Sequence, residues 1–257
     1  MLKKRVIGVV TVKGNLAVQS VSYNTYYPLG DPVILVENLD RWGADEIFVQ
    51  CIDRSMNDMG PNFDLISRIS KSGISTPIIY GGGIGTVDDA VRVINLGSDR
   101  IVVDNLLWTN PRTVHQMARE LGIQAIIGNL PVGILHDQVI WKNYITGHEI
   151  PIDEAFIDVC PLDDLSEFVL TDYQNEGVPL GFDERLVHAL SVTKKPGILF
   201  GGISDNSQIV RLLDIPMVAA VASGNFLSYR EHALQCLVAS QHLRTRMFLK
   251  EEDSICL

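Results

Sequence analysis

Along this chain eight short, continuously apolar runs alternate with longer segments whose apolar residues recur at helical spacing. The runs predict strands over 5–12, 46–51, 77–81, 100–104, 124–129, 167–172, 197–201 and 217–222. A run that is apolar at every position, rather than at every second one, is what a strand covered on both faces requires. These strands therefore belong to a parallel sheet with helices outside it. Helix starts are marked by capping residues: Thr86 ahead of Val87-Asp88-Asp89, and Asp205 or Asn206 ahead of Ile209-Val210. Two hairpin-like segments, 15–23 and 138–144, interrupt the alternation after the first and fifth strands.

The pattern repeats. Tyr80-Gly81-Gly82-Gly83-Ile84 and Phe200-Gly201-Gly202-Ile203 each end an apolar run and open a helical segment, about 120 residues apart. Gly83 precedes Arg92 as Gly202 precedes Arg211, and the run Ile101 to Val103 corresponds to Ala220 to Ala222. Earlier in each half, Glu46 opens Ile47-Phe48-Val49 as Glu167 opens Phe168-Val169-Leu170. A strand, helix, strand unit of this size cannot bury its strands alone. Halves at about 1–121 and 122–243 are thus expected to pack as one domain over 1–257, with a charged tail at 244–257. The length, 257 residues, suits a single (β/α)8 TIM barrel of roughly 250 residues.

Composition narrows the partners. The formal net charge is −10 and no basic run offsets it, which argues against nonspecific binding to nucleic acid or an anionic membrane. A small anionic ligand must then be held locally. Cys51, Cys160, Cys236 and Cys256 form no CxxC pair, so neither a disulfide framework nor a zinc site is expected. The histidines show no ligand spacing, and no metal or other cofactor is implied. The apolar run that follows the basic start ends at Lys13, and no run reaches about 18 residues, so a cytoplasmic location is expected.

In a barrel of this kind chemistry sits where the strands end. That places Thr11, Cys51, Asp53, Gly82, Gly83, Asp104, Asn105, Asn129, Thr171, Asp172, Gly177, Gly201, Gly202 and Ser223 at the mouth. Each glycine turn bares backbone N–H groups at a helix start and could hold a phosphate; the plain alternative is a tight strand-to-helix turn without ligand. Two such turns suit a ligand with two anionic ends. Cys51 also reads as a small buried strand residue, and Thr171 and Asp172 as a polar pair bonding nearby backbone. At the opposite end, Arg5, Glu46, Arg100 and Glu167 each open a predicted strand, putting two cations and two anions around one rim.

These segments carry a resemblance. Met1 to Ile7, Gly30-Asp31-Pro32, Gly43-Ala44-Asp45-Glu46, Gly81-Gly82-Gly83-Ile84, Asn110-Pro111, Thr171 with Gly177 and Gly181-Phe182-Asp183, Gly201-Gly202 and Ala222-Ser223 resemble the cyclase subunit of imidazole glycerol phosphate synthase, the HisF family, over nearly the full length. The resemblance implies a TIM barrel that receives ammonia from a HisH-like glutaminase and binds a phosphorylated ligand. It assigns phosphate binding to Gly82, Gly83, Asn105, Gly177, Gly201, Gly202 and Ser223. It also assigns Arg5, Glu46, Arg100 and Glu167 to a salt-bridged ammonia gate, with Arg100 in place of a lysine.

The departures matter as much. The family's two catalytic aspartates fall at Thr11 and Asn129, neither of which titrates near neutrality. Gln19 replaces a lysine and Cys51 an aspartate, and Asp104 stands beside one phosphate position, where a carboxylate would repel the anion. One good anion site, in the second half, and one compromised site are expected. The segments Gly60-Pro61-Asn62-Phe63-Asp64-Leu65-Ile66 and Tyr80-Gly81-Gly82-Gly83-Ile84, with the missing first-strand aspartate, resemble HisF-like proteins of surface-polysaccharide clusters. That subgroup implies glycosyl amidation with a glutaminase and a separate ATP-dependent sugar amidotransferase, on a phosphorylated or sugar-nucleotide substrate. The expected function is thus an ammonia-receiving amidation subunit. The alternatives are an imidazole glycerol phosphate synthase cyclase and a non-catalytic phosphate-binding scaffold barrel.

Overall fold

A computed structural model describes residues 4–228 of the chain; the expected tail at 244–257 lies outside the described residues. Its strands are β1 (Arg5–Lys13), β2 (Leu16–Val21), β3 (Thr25–Gly30), β4 (Glu46–Cys51), β5 (Ile78–Gly81), β6 (Arg100–Val103), β7 (Ile126–Leu135), β8 (Gln138–Lys142), β9 (Glu149–Pro151), β10 (Glu167–Asp172), β11 (Gly197–Phe200) and β12 (Val218–Ser223). The helices between them are α1 (Pro32–Arg41), α2 (Phe63–Lys71), α3 (Val87–Asn95), α4 (Leu106–Thr109), α5 (Pro111–Leu121), α6 (Glu154–Val159), α7 (His188–Thr193) and α8 (Asn206–Leu213). The eight expected strands pair in parallel in the order β10, β11, β12, β1, β4, β5, β6, β7, and β7 pairs in parallel with β10 to close the ring. The chain is a closed (β/α)8 barrel.

Local chemistry explains the element starts. Thr86 caps α3 through a reciprocal capping box with Asp89, and the Asp205 side chain caps α8 by accepting the Ser207 amide. Alternation along the closed strands divides the core into two layers. Ile7, Val9, Phe48, Ile79, Val102, Ile127, Val169, Ile198, Phe200, Ala220 and Ala222 fill the lumen. Val6, Val10, Ile47, Val49, Tyr80, Ile101 and Phe168 pack outward with the helices. Burial on both faces accounts for the unbroken apolar runs.

Three expectations are corrected. The fifth strand begins at Ile126, after a 3-10 turn at Ile123–Ala125, and runs on to Leu135 because it continues straight into an antiparallel hairpin with β8. The first hairpin spans β2 and β3, reaching Gly30; its second arm is largely solvent-exposed and lacks the apolar alternation that would mark it. The repeat also slips by one residue: Val102 faces the lumen between outward Ile101 and Val103, whereas Ala220 and Ala222 face it themselves. A register irregularity of β11 against β12, where Gly197 pairs with Val218 but Ile198 with Ala220, leaves Ala219 unmatched and shifts the phase.

The hairpin after β7 is anchored by aromatic packing, with Trp108 4.6 Å from Trp141 and 4.4 Å from Phe156 between ring centroids. Packing around Gly128 admits no extra atom. A Cβ on Gly128 would lie 2.4 Å from Cε1 of Phe168 and 3.0 Å from Leu165 Cδ1, both in fully buried side chains. Gly128→Ala is expected to destabilise the barrel by about 1–3 kcal/mol. Urea unfolding should show this as a lower midpoint at unchanged m-value.

Candidate functional site

The strands run from a charged base to a polar mouth. At the base, the lumen-facing first residues of β1, β4, β6 and β10 form a closed cycle of ion pairs. Arg5 lies 3.1 Å from Glu46 and 2.6 Å from Glu167, and Arg100 lies 3.5 Å from Glu46 and 3.0 Å from Glu167. The four side chains are only 10–16% exposed. Burial pulls the Arg5 guanidinium down, but its bonds to Glu167 and Glu46 leave it net raised. Burial raises the Glu46 carboxyl against the pull of Arg5 and Arg100. Arg100 is also fixed by donating to the Gln124 carbonyl and the Ser166 hydroxyl. Above this cycle comes the apolar lumen layer, and above that the mouth.

At the mouth the strands present Thr11, Gln50, Asn129 and Thr171, with Asp104 just beyond β6. Thr11, Asn129 and Thr171 are buried, and the Thr171 hydroxyl donates to Asn129 Oδ1 at 2.8 Å. Cys51 and Asp172 do not join them, because the pleat turns both outward. Cys51 sits against Tyr80, and burial pushes its thiol up to about 12, so it is no thiolate. The Asp172 carboxylate, fully buried, accepts from the Asn175 amide and side chain and from the Asp183 amide, holding the loop that carries Gly177.

The two glycine turns differ. Gly201, Gly202, Gly177 and Ser223 come together around a cavity of about 480 Å³, which Thr11, Gln19 and Glu176 also line. Gly202 has φ +70°, and a Cβ there would lie 2.6 Å from the Phe182 amide nitrogen. Only glycine fits that turn. Gly82, Gly83 and Asn105 lie at the other side, and there Gly83 and Asn105 are taken up by neighbouring side chains. Gly83 N–H donates to Ser55 Oγ at 3.1 Å, and Asn143 Nδ2 donates to Asn105 Oδ1 at 3.0 Å. The Tyr144 hydroxyl donates to Asp104 Oδ2 at 2.7 Å. Burial raises the Asp104 carboxyl, with the Tyr144 and Asn105 bonds pulling the other way.

Sequence reasoning missed Tyr23, Tyr144, Asn143 and Glu176. Tyr23, at the tip of the first hairpin, packs on the lumen layer, and its hydroxyl lies 3.4 Å from Gln50 Oε1. Ser22 and Tyr23 both have left-handed backbone, at φ 51° and 49°, a strained conformation for a bulky residue. Glu176 holds them there. Its Oε2 accepts from the Ser20 hydroxyl at 2.9 Å and the Tyr23 amide at 3.1 Å, and its carbonyl accepts from the Ser22 amide. Its position just before Gly177 was the available signal, since a carboxylate beside an expected anion site must have another task.

The sequence comparisons fit this geometry. Residues 5–233 match the profile of the family described as Histidine biosynthesis protein. Imidazole glycerol phosphate synthase subunit HisF of Lactococcus lactis subsp. cremoris strain MG1363 is 26% identical over 238 residues, 90% of each chain. A Dictyoglomus turgidum protein of the same name is 28% identical over 230 residues, covering 88% of this chain and 90% of its own. In Vibrio vulnificus strain YJ016, a protein provisionally named imidazole glycerol phosphate synthase subunit hisF2 is 27% identical over 237 residues, covering 91% of this chain and 86% of its own. No helix of the described residues is long and apolar enough to cross a membrane.

Burial raises the Glu176 carboxyl more than its hydrogen bonds lower it. The folded chain therefore holds that proton more tightly than the unfolded one, and stability is lost as pH rises from the ordinary glutamate value, about 4.3, through the raised one. Glu176→Gln keeps an oxygen to accept both bonds and removes the charge. The stability of Glu176→Gln relative to wild type is expected to increase with pH across that window and then level off, as denaturant titrations at stepped pH would show.

Proposed function

Since this chain belongs to the Histidine biosynthesis protein family, we propose that it is the ammonia-receiving barrel subunit of a glutamine amidotransferase system, working with a HisH-like glutaminase at its base. The observation that carries this reading is the closed cycle of Arg5, Glu46, Arg100 and Glu167 around the base of the lumen. Two cations and two anions satisfy one another, so the rim has no net charge with which to trap an ion. The layer above it, Ile7, Phe48, Ile79, Val102, Ile127 and Val169, is apolar. Such a path admits neutral ammonia and strongly disfavours ammonium, whose desolvation would go uncompensated.

At the mouth, the loop after β11 supplies Gly201 and Gly202 and the end of β12 supplies Ser223, joined by Gly177, for the phosphate of the acceptor. Loops after the last two strands of such barrels serve this purpose widely. Asn105, Gly82 and Gly83 would complete a second site only if their present bonds were released. Thr11 and Asn129 carry no titratable proton; Asn129, oriented by Thr171, can bind or position an acceptor but cannot act as an acid or base. The loop motif at 60–66 supports a sugar of surface-polysaccharide synthesis as the acceptor, with a separate ATP-dependent amidotransferase completing the reaction.

Co-purification with the glutaminase and comparison of two nitrogen sources tests this reading. Removing one member of the cycle strands a partner charge, at about 3 kcal/mol where burial is strong. In Glu46→Ala, product formation from glutamine is expected to fall at least tenfold more than formation from ammonium, with melting curves verifying the fold. Equal loss from both sources in a folded variant would assign the cycle a structural role alone.

The relatives' names favour a second reading, the imidazole glycerol phosphate synthase cyclase itself. General acid or base catalysis contributes about 10²–10⁴-fold, and the family's two positions for it are Thr11 and Asn129 here. No turnover of the bisphosphate ribonucleotide substrate is expected with saturating ammonium. Turnover at a rate ordinary for cyclases, followed by substrate absorbance, would establish the cyclase and displace the amidation reading.

A further inference from the structure

The two halves of the mouth are built alike but finished differently. Ile79 pairs with Arg100 and the matching Ile198 with Ala220, so Val102 corresponds to Ala222 and Asp104, two positions further on, to Gly224. One half thus carries a carboxylate where the other has a glycine without a side chain. Gly83 and Gly202 occupy matching turns, with φ +75° and +70°. The Gly83 amide is spent on Ser55 Oγ, whereas none of the hydrogen bonds found among the described residues takes the Gly202 amide to a protein acceptor.

Around Asp104 the closure is complete. Its Oδ1 accepts the Asn105 amide and its Oδ2 the Tyr144 hydroxyl. The Tyr144 hydroxyl also lies beside Ser55, the residue that holds Gly83. Asn143 donates to Asn105 Oδ1 and accepts from the amides of Ile145 and Thr146, clamping the loop after β8 over the same corner. A carboxylate has two acceptor oxygens and a negative charge, the properties by which a phosphate would engage these donors.

We propose that the Asp104 carboxylate is a built-in anion that takes up the Asn105 amide beside the first-half turn, so that this barrel takes a ligand with a single phosphate, held at the second-half turn. The far end of that ligand lies towards Asn129, Asp104 and Tyr144 and carries no second phosphate. This rests on the assignment of Gly201, Gly202 and Ser223 to phosphate binding and adds the class of ligand: a phosphomonoester rather than a bisphosphate. Asp104 is on this account a specificity-determining residue, excluding the second anion by charge and by occupancy.

Inorganic phosphate titrated into the ¹⁵N-labelled protein reads both turns at once through their amide signals. Saturable shifts are expected at Gly202 and Ser223 in the wild type, with affinity at Gly83 and Asn105 at least tenfold weaker. Asp104→Ala, which removes the carboxylate, should bring the affinity at Gly83 and Asn105 to within about threefold of that at Gly202. Equal shifts at both turns of the wild type would overturn the proposal while leaving the phosphate assignment standing. Shifts at neither turn would overturn both. Should Asp104→Ala fold, by its melting curve, and gain no binding at Gly83, occupancy by Asp104 would be refuted as the cause; should it not fold, the wild-type titration decides.

Discussion

Closure of the parallel ring by β7 against β10 is the constraint from which the rest follows. Once the ring is shut, the two-residue period of each strand decides which side chains enter the lumen, with the phase shift at Ala219 in β12. It sends Arg5, Ile7, Val9 and Thr11 inward from one strand and Val6, Val10 and Val12 outward against the helices. It puts the four charges at one end and Thr11, Gln50, Asn129 and Thr171 at the other, with an apolar layer between. The same rule removes Cys51 and Asp172 from the mouth although both end a strand. A strand end is therefore too coarse a marker of function; the parity of the position within the strand is what counts.

The two ends deal with buried charge in opposite ways. At the base each charge faces two of opposite sign, so burial is compensated within the cycle and little net field remains. At the mouth the carboxylates of Asp104 and Glu176 have hydroxyl and amide donors but no cation within the hydrogen-bond networks described, and burial raises both. Neutral donors stabilise a carboxylate less than a guanidinium does. The mouth therefore holds buried carboxyl groups without a compensating cation, while at the base the pull of Arg5 and Arg100 works against the rise that burial causes at Glu46.

Much of the fold was legible because it is written in local patterns. Unbroken apolar runs, caps such as Thr86, and glycine turns each report a single element and need no partner to be recognised. The salt-bridged cycle was legible for a related reason: four first residues of strands in a closed barrel are forced into proximity by topology alone. What escaped notice depends on long-range contact or on register. Tyr144 meets Asp104 from 40 positions away, and Glu176 reaches Ser20 across 156. No local pattern marks such pairs. The slip of the repeat at Ala219 escaped because a bulge changes phase without changing composition.

The asymmetry between the glycine turns shows how a duplicated plan can diverge without touching its glycines. Gly82, Gly83, Gly201 and Gly202 all keep left-handed backbone, and each is closely overbuilt by the preceding strand's loop. A Cβ on Gly82 would lie 2.2 Å from the Cys51 carbonyl oxygen, and one on Gly201 would lie 2.6 Å from that of Asp172. These contacts require glycine for packing whether or not an anion is present, so both turns keep their signature. The difference lies in the neighbours, where Ser55 and Asp104 take the Gly83 and Asn105 amides on one side, while on the other the Ser223 hydroxyl goes to the Ile203 carbonyl and none of the hydrogen bonds found among the described residues takes the Gly202 amide. A glycine turn reports that backbone comes close to backbone; what the freed amides then bind is decided by neighbours that the motif does not contain.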